Sequence, residues 1–323
     1  MKQQNERGIN MAEVILFGEP MALFIAQEYG ELKDAVTYKK ALAGAELNVC
    51  IGLNRLGHTP TYITKLGAKD PFGAYIFEGL KSEGIDISEI RFDDEHTTGF
   101  MLKNKVKNGD PQICYFRKDS AASNIAPQDI DKVSFENVCH VHVTGIPCAL
   151  SENCLAATLR LIERARENHV YVSFDPNVRP SLWTDTTVMV RTLNDVACRC
   201  NMVLPGVAEG KILTGFDSLE KIADYYLSRG VSDVIIKTGP KGAYVQNTHT
   251  HATIPPFPIE QIIDTVGAGD GFAVGVISAH LEGLSLEDAA MRGNVIGALQ
   301  LTVAGDNEGL PSWEKLQEAM ASL

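Results

Sequence analysis

Asp264-Thr265-Val266-Gly267-Ala268-Gly269-Asp270-Gly271-Phe272 is a polar turn, opened by two closely spaced glycines, that runs straight into an apolar helical pattern. Such a turn presents bare backbone N–H groups at the positive end of a helix, where orphan donors and the macrodipole both favour an anion. Asp270 falls in the first helical turn, where its carboxylate could take a proton from a hydroxyl beside that anion pocket. Read alone, the nonapeptide suits an N-capping aspartate with two turn glycines equally well. Its meaning depends on the rest of the chain.

Upstream, short apolar runs alternate with longer helical patterns. Strands are expected at Val14–Phe17, Thr61–Lys65, Val138–Val143, Val170–Phe174, Met202–Leu204 and Val234–Lys237. Helices are expected at Ala45–Leu56, Phe72–Glu83, Glu152–Glu167 and Leu219–Arg229, and downstream at Ala268–Leu281, Leu286–Val303 and Trp313–Ala321. That alternation implies βαβ units, hence an α/β fold with a mostly parallel sheet and helices on both faces. Two regions break it. Residues 23–43 and 98–118 alternate polar and apolar side chains with no helix between, the pattern of a sheet wet on one face and typically antiparallel. They are expected to form one small β-sheet lid inserted in a single domain spanning 11–323, with residues 1–10 a polar N-terminal extension and Met11 the functional start.

The 323 residues carry a formal net charge of −12, which argues against nucleic acid or an anionic membrane as partner. Hydrophobic residues make up 45% and charged residues 22%, as in an ordinary globular chain. The longest nearly uncharged stretch, Thr265 to Leu281, is interrupted by Asp270 and holds four glycines, so no membrane span is expected. Seven scattered cysteines without a secretory leader fit reduced thiols in the cytoplasm. Cys198-x-Cys200 lacks a second ligand pair for zinc. His140/His142 and His249/His251 are i, i+2 pairs better read as surface or packing residues than as ligands, and Trp183 and Trp313 as packing residues.

Other nucleotide motifs fail. Gly206-Val-Ala-Glu-Gly-Lys211 is one residue short of a Walker loop and continues with Ile212, and Gly267 to Phe272 is not the Gly-x-Gly-x-x-Gly of a dinucleotide fold. Asp264-Thr-x-Gly-Ala-Gly-Asp270 instead resembles the C-terminal signature of the ribokinase-like (phosphofructokinase-B) sugar kinases. Further stretches resemble that family in order along the chain: Gly18-Glu19, Ala43-Gly44-Ala-Glu-Leu-Asn48 with Ala43 for the usual glycine, and Asp175-Pro-Asn-x-Arg-x-x-Leu-Trp183. The likeness spans Val14 to Trp313. Within the family, Tyr115 to Ser123, Asp175 to Trp183 and Gly305 to Pro311 are most similar to the 2-keto-3-deoxygluconate kinases, the middle one also to fructokinases.

The resemblance implies ATP-dependent phosphorylation of a six-carbon sugar acid, with Asp270 as general base and the backbone of Gly267, Ala268 and Gly269 as anion hole. Gly44, Tyr115, Arg117, Arg179 and Asp306 would hold the sugar acid. Arg117 and Arg179 are the cations its carboxylate needs, since a guanidinium fork matches a carboxylate. Asn177, Gly239, Gly242 and Asn294 would line the ATP site. Magnesium is implied, with Glu209 as its carboxylate, directly or through water; Gly206 stands where the family usually has asparagine. A monovalent-cation requirement stays open. A homo-oligomer through the lid sheet is implied too. The rivals are a neutral-sugar kinase such as a fructokinase, and a silent sugar-binding protein.

Overall fold

Val14-Ile-Leu-Phe17 has no polar side chain on either face and all four residues are buried, the mark of a strand covered on both sides. Ile15 and Phe17 join one apolar cluster and Val14 and Leu16 the other, so the strand lies between two cores. A computed structural model describes residues 13–107, 109 and 111–323. The expected extension, residues 1–10, and Met11 lie outside the described residues.

The described strands are β1 (Val14–Phe17), β2 (Met21–Tyr29), β3 (Tyr38–Ala43), β4 (Pro60–Gly67), β5 (Ile90–Asp93), β6 (Phe100–Lys105), β7 (Ile113–Phe116), β8 (His140–Thr144), β9 (Tyr171–Asp175), β10 (Met202–Val203), β11 (Asp233–Lys237), β12 (Ala243–Gln246) and β13 (His251–Ile254). Nine form one sheet in the order β13-β12-β11-β10-β9-β8-β1-β4-β5. From β5 to β11 every pairing is parallel, and β11-β12-β13 closes the edge antiparallel. The strand order turns at β1, between β4 and β8. Ligands of open α/β sheets gather outside the carboxyl ends of strands near such a turn.

The helices are α1 (Ala45–Arg55), α2 (Pro71–Ser82), α3 (Pro127–Ile130), α4 (Gly145–Leu150), α5 (Glu152–Glu167), α6 (Thr186–Ala197), α7 (Val207–Thr214), α8 (Leu219–Leu227), α9 (Ala268–Leu281), α10 (Leu286–Leu301) and α11 (Trp313–Ala321). Leu161 of α5, Leu193 of α6 and Ile222 of α8 bury against the Ile15/Phe17 face, and Leu53 of α1, Ile76 of α2, Val274 of α9 and Ile296 of α10 against the other. Helices therefore cover both faces, as expected. At Gly275 of α9 a Cβ would lie 2.5 Å from the backbone nitrogen of Gly293 in α10, so these two helices touch backbone to backbone. That contact fixes α9, whose N-terminus carries the signature turn. No described helix is long and apolar enough to cross a membrane.

The lid is a four-stranded sheet, β3-β2-β6-β7. It is mixed rather than antiparallel: the hairpins β2-β3 and β6-β7 are antiparallel, but β2 and β6 run parallel. Both strands start at the α/β layer, where the Ala22 N–H donates to the Gly99 carbonyl at 3.2 Å, and run outward side by side. His140 and His142 are core residues, each hydrogen-bonded to Ser173 Oγ, and burial holds both imidazoles neutral by lowering their pKa.

Candidate active site

Three of the parallel strands and α9 bring their ends to one place. Gly18 and Glu19 follow β1, Asp175 ends β9, Lys237 ends β11, and Gly267 caps α9. Gly267 sits at φ +81°, and a Cβ there would come 2.1 Å from the Asp306 carbonyl oxygen, so only glycine fits the turn. The Gly271 N–H closes onto Gly267 O at 2.8 Å, leaving the N–H groups of Gly267, Ala268, Gly269 and Asp270 as the orphan donors of the helix start.

Two cavities meet there. The first, of about 550 Å³, lies under the lid and is lined by Gly44, Tyr115, Arg117, Arg179, Asp270 and Asp306, together with Asn177, Gly267, Gly269 and Glu209. The second, of about 600 Å³, is lined by Gly239, Gly242, Ala268 and Asn294 among apolar walls that include Pro256, Phe257, Ile259 and Phe272. Lys237, Thr265 and Gly269 line both. All five residues expected to hold the sugar acid thus share one cavity, and three of the four expected at ATP share the other. Asn177 is the exception: it lines the first cavity, because its backbone N–H is held by Asp175 at the end of β9.

Asp270 is half-buried, and its Oδ2 accepts a hydrogen bond from the Asn48 amide at 2.8 Å. Loss of solvation pushes its carboxyl up to about 7; the Asn48 bond and Arg179 pull down, and Asp175 and Glu46 push further up. Asn48, on α1, is itself held by the Asn307 amide at 3.1 Å. A carboxylate that changes charge near neutrality, fixed by one amide, is suited to take and release a proton.

Beside it, Lys237 Nζ pairs with Asp175 Oδ2 at 2.6 Å. Burial works against this ammonium, but Asp175 and Glu209 outweigh it and raise its pKa. It is a permanent positive charge at the junction of the cavities. Asn294, on α10, donates to the Pro255 carbonyl at 2.8 Å and so holds the wall of the second cavity.

Two expected roles meet different geometry, and a third, that of Arg179, does not. Arg117 is not a free fork: it is 8% exposed, and its Nε and Nη2 bind Glu19 Oε2 at 2.6 and 2.5 Å. Glu19 also accepts from Ser120 Oγ. Arg179 is exposed, and its recorded bond is to the carbonyl of Val178 at 3.2 Å. Of the two arginines, it has the guanidinium free for a ligand. Glu209 has both oxygens occupied, Oε2 by the Gly206 N–H at 2.6 Å and Oε1 by the Val178 N–H at 2.7 Å. It caps α7 and pins the 176–179 loop. Among the described residues no three His, Cys, Asp or Glu side chains cluster as a metal site.

Residues 11–313 match the description pfkB family carbohydrate kinase. The chain belongs to that family. It is 48% identical over 311 residues, 96% of each chain, to the 2-dehydro-3-deoxygluconokinase of Bacillus subtilis (strain 168). A protein of the same name from Thermoproteus tenax is 30% identical over 99% of this chain and 98% of its own. The crystal structure of the PfkB protein from Polaromonas sp. JS666 superposes with a TM-score of 0.88 at 41% identity, covering 95% of this chain and 99% of that one.

Some parts of this pfkB-family site went unread in the sequence. Asn48 and Glu19 lie inside stretches that carry the resemblance, but their partners, Asp270 and Arg117, are 222 and 98 residues away. Lys237 opens the glycine turn Lys237 to Gly242, in which Gly239 and Gly242 were expected at ATP but the lysine was expected only as the end of a strand. Lys103, in a lid strand, gave no local signal at all; its alternating neighbours suggested a solvated face.

Proposed function

We propose that the chain transfers the γ-phosphoryl group of ATP to the terminal hydroxyl of 2-keto-3-deoxygluconate (2-dehydro-3-deoxygluconate), giving 2-keto-3-deoxy-6-phosphogluconate and ADP. One observation carries the reading: Asp270 and the free N–H groups of α9 stand where a polar cavity under the lid meets an apolar slot. The slot takes the flat apolar base of the nucleotide. The polar cavity takes the sugar acid, its carboxylate against Arg179 and its hydroxyls against Tyr115 and Asp306. Asp270 takes the proton of the terminal hydroxyl, whose oxygen bonds to the γ-phosphorus as the bond to the ADP oxygen breaks. Gly267, Ala268 and Gly269 with Lys237 receive the charge on the transferring group, and positioning plus charge neutralisation is what phosphoryl transfer asks for.

Magnesium fits this donor set as an ion held mostly by phosphates and water, with oxygen ligands at the edge. Asn177 Oδ1 is buried without a hydrogen-bond partner and would reach it; Glu209, in the same cavity with both oxygens held by backbone N–H groups, would reach it through water. When bound, it would supply further neutralisation of phosphate charge. Seven free cysteines support a reducing compartment, the cytoplasm. Phe116, 46% exposed and stacked on Phe100 of the lid, supports a homo-oligomer through that sheet.

The test is ADP release with ATP and magnesium, comparing 2-keto-3-deoxygluconate with fructose and ribose at matched concentrations, for the wild type and Arg179→Ala. A charge-assisted contact implies that Arg179→Ala loses about 10- to 100-fold in kcat/KM for the keto acid. Preference for a neutral sugar overturns the substrate; no turnover with any of the three overturns the kinase reading in favour of a silent binding protein.

A further inference from the structure

Lys103 is 2% exposed, yet it sits in β6 of the lid, and its ammonium reaches down out of the lid sheet. Nζ binds Asp264 Oδ2 at 2.6 Å and Asp306 Oδ1 at 3.3 Å. The two carboxylates belong to different segments. Asp264 opens the signature turn, its Oδ1 accepting the Val266 N–H at 3.2 Å and its Oδ2 the Gly305 N–H at 3.1 Å. Asp306, 3% exposed, lines the first cavity, and its carbonyl is the atom against which Gly267 packs. One ammonium therefore ties the lid, the anion hole and a wall of the sugar cavity together.

Burying such a cluster adds little stability compared with apolar side chains of the same volume. What it fixes is geometry and charge. Asp306 faces Lys103, Asp264 and Glu308. Burial pushes its carboxyl up to about 6, Lys103 pulls it down, and Asp264 and Glu308 push it up again. Without the ammonium, Asp306 would either take a proton or stand as an uncompensated carboxylate in a cavity that must admit another.

We propose that Lys103 is a positioning residue for the sugar: its ammonium keeps Asp306 ionised, fixed as a hydroxyl acceptor, and neutral enough in combination to share a cavity with an anionic substrate. This rests on the proposed sugar-acid reading only for the anionic part. Any sugar brings hydroxyls, so the test runs on whichever sugar the wild type turns over.

The experiment is a cycle of Lys103→Met, Asp306→Asn and the double variant, with KM for sugar, KM for ATP and kcat measured in each. Lys103→Met raises the sugar KM by at least about tenfold and leaves the ATP KM within about twofold, and in the double variant the two losses do not add. Additive losses, or an ATP KM that rises in step with the sugar KM, overturn it. A second readout needs neither turnover nor a folded Lys103 variant: the 13C shift of the Asp306 carboxyl in the wild type. An Asp306 that is still protonated at pH 8 overturns the proposal. Where Lys103→Met folds, the titration moves up by about 1–3 units. If the wild type turns over no sugar, the functional reading fails, and the carboxyl titration still decides Lys103.

Discussion

Asp270 lies at one end of a chain of side chains, Asn307 to Asn48 to Asp270, and the chain sets both when it can act and what it costs the fold. Its carboxyl titrates at about 7 rather than in the usual range near 4. As the proposed base it must be ionised, so kcat/KM should fall about tenfold per unit below pH 7. A folded pKa above the unfolded one means that the stabilising state is the protonated one: its contribution is complete below about pH 4 and is lost as pH rises through 7. Asp270→Asn should therefore cut turnover by about 10²- to 10⁴-fold and raise Tm by about 2 °C or more at pH 8, with a markedly smaller gain at pH 5. Equal Tm gains at both pH values, or a surviving rate, would sink the assignment. Arg117 shows the opposite balance. Stripping it leaves Glu19 buried and unpaired, which costs about 3–5 kcal/mol, so Arg179 is the better probe of the substrate carboxylate. Residue types at the site were legible from the motifs; their pairings were not, because no spacing rule links Asn48 to Asp270 or Lys103 to Asp306.

At the scale of elements, α9 shows how a local turn gathers the N–H groups of the proposed anion hole. The turn closes because Gly267 takes φ +81° with the Asp306 carbonyl pressed against it. Gly267→Ala adds the left-handed penalty of about 1–2 kcal/mol and forces Asp306 away from its place. Kinetics with urea unfolding should show kcat and sugar KM worsening together, by about tenfold or more overall, beyond what the stability loss explains. Normal kinetics in a merely less stable protein would mean that the turn does not set the site. The long helices and buried strands were readable because their apolar periods are strong. α6 was not singled out: Thr186-Thr-Val-Met-Val190 is rich in β-branched residues that favour strands, and burial of Met189, Leu193 and Val196 decides for helix. The β12-β13 hairpin was missed because its strands are four residues each and β13 is largely exposed at the sheet edge.

For the whole molecule, the decisive feature is that two cavities open on one helix end rather than one cavity serving in turn. The alternation of strands and helices made the layered sheet legible, whereas the lid's parallel β2-β6 pairing joins Ala22 to Phe100 and Tyr29 to Lys105, far apart in the chain, and only the assembled layer brings them together. The same assembly governs the kinetics. The cavities share Lys237, Thr265 and Gly269 but have otherwise separate walls, so sugar and nucleotide fit at once. Asp270 lines the sugar cavity and is bonded to Asn48, an arrangement for a base acting on a neighbouring hydroxyl rather than for a carboxylate that itself accepts the phosphoryl group. Direct transfer in a ternary complex is then expected, with the lid over the sugar cavity keeping water from competing for the γ-phosphate. Initial rates measured across both substrate concentrations should give intersecting double-reciprocal lines, and ATP alone should release ADP far more slowly than ATP with sugar. Parallel lines would instead mean that a phosphorylated enzyme forms between two half-reactions, with Asp270 as the nucleophile, and direct transfer would have to be abandoned.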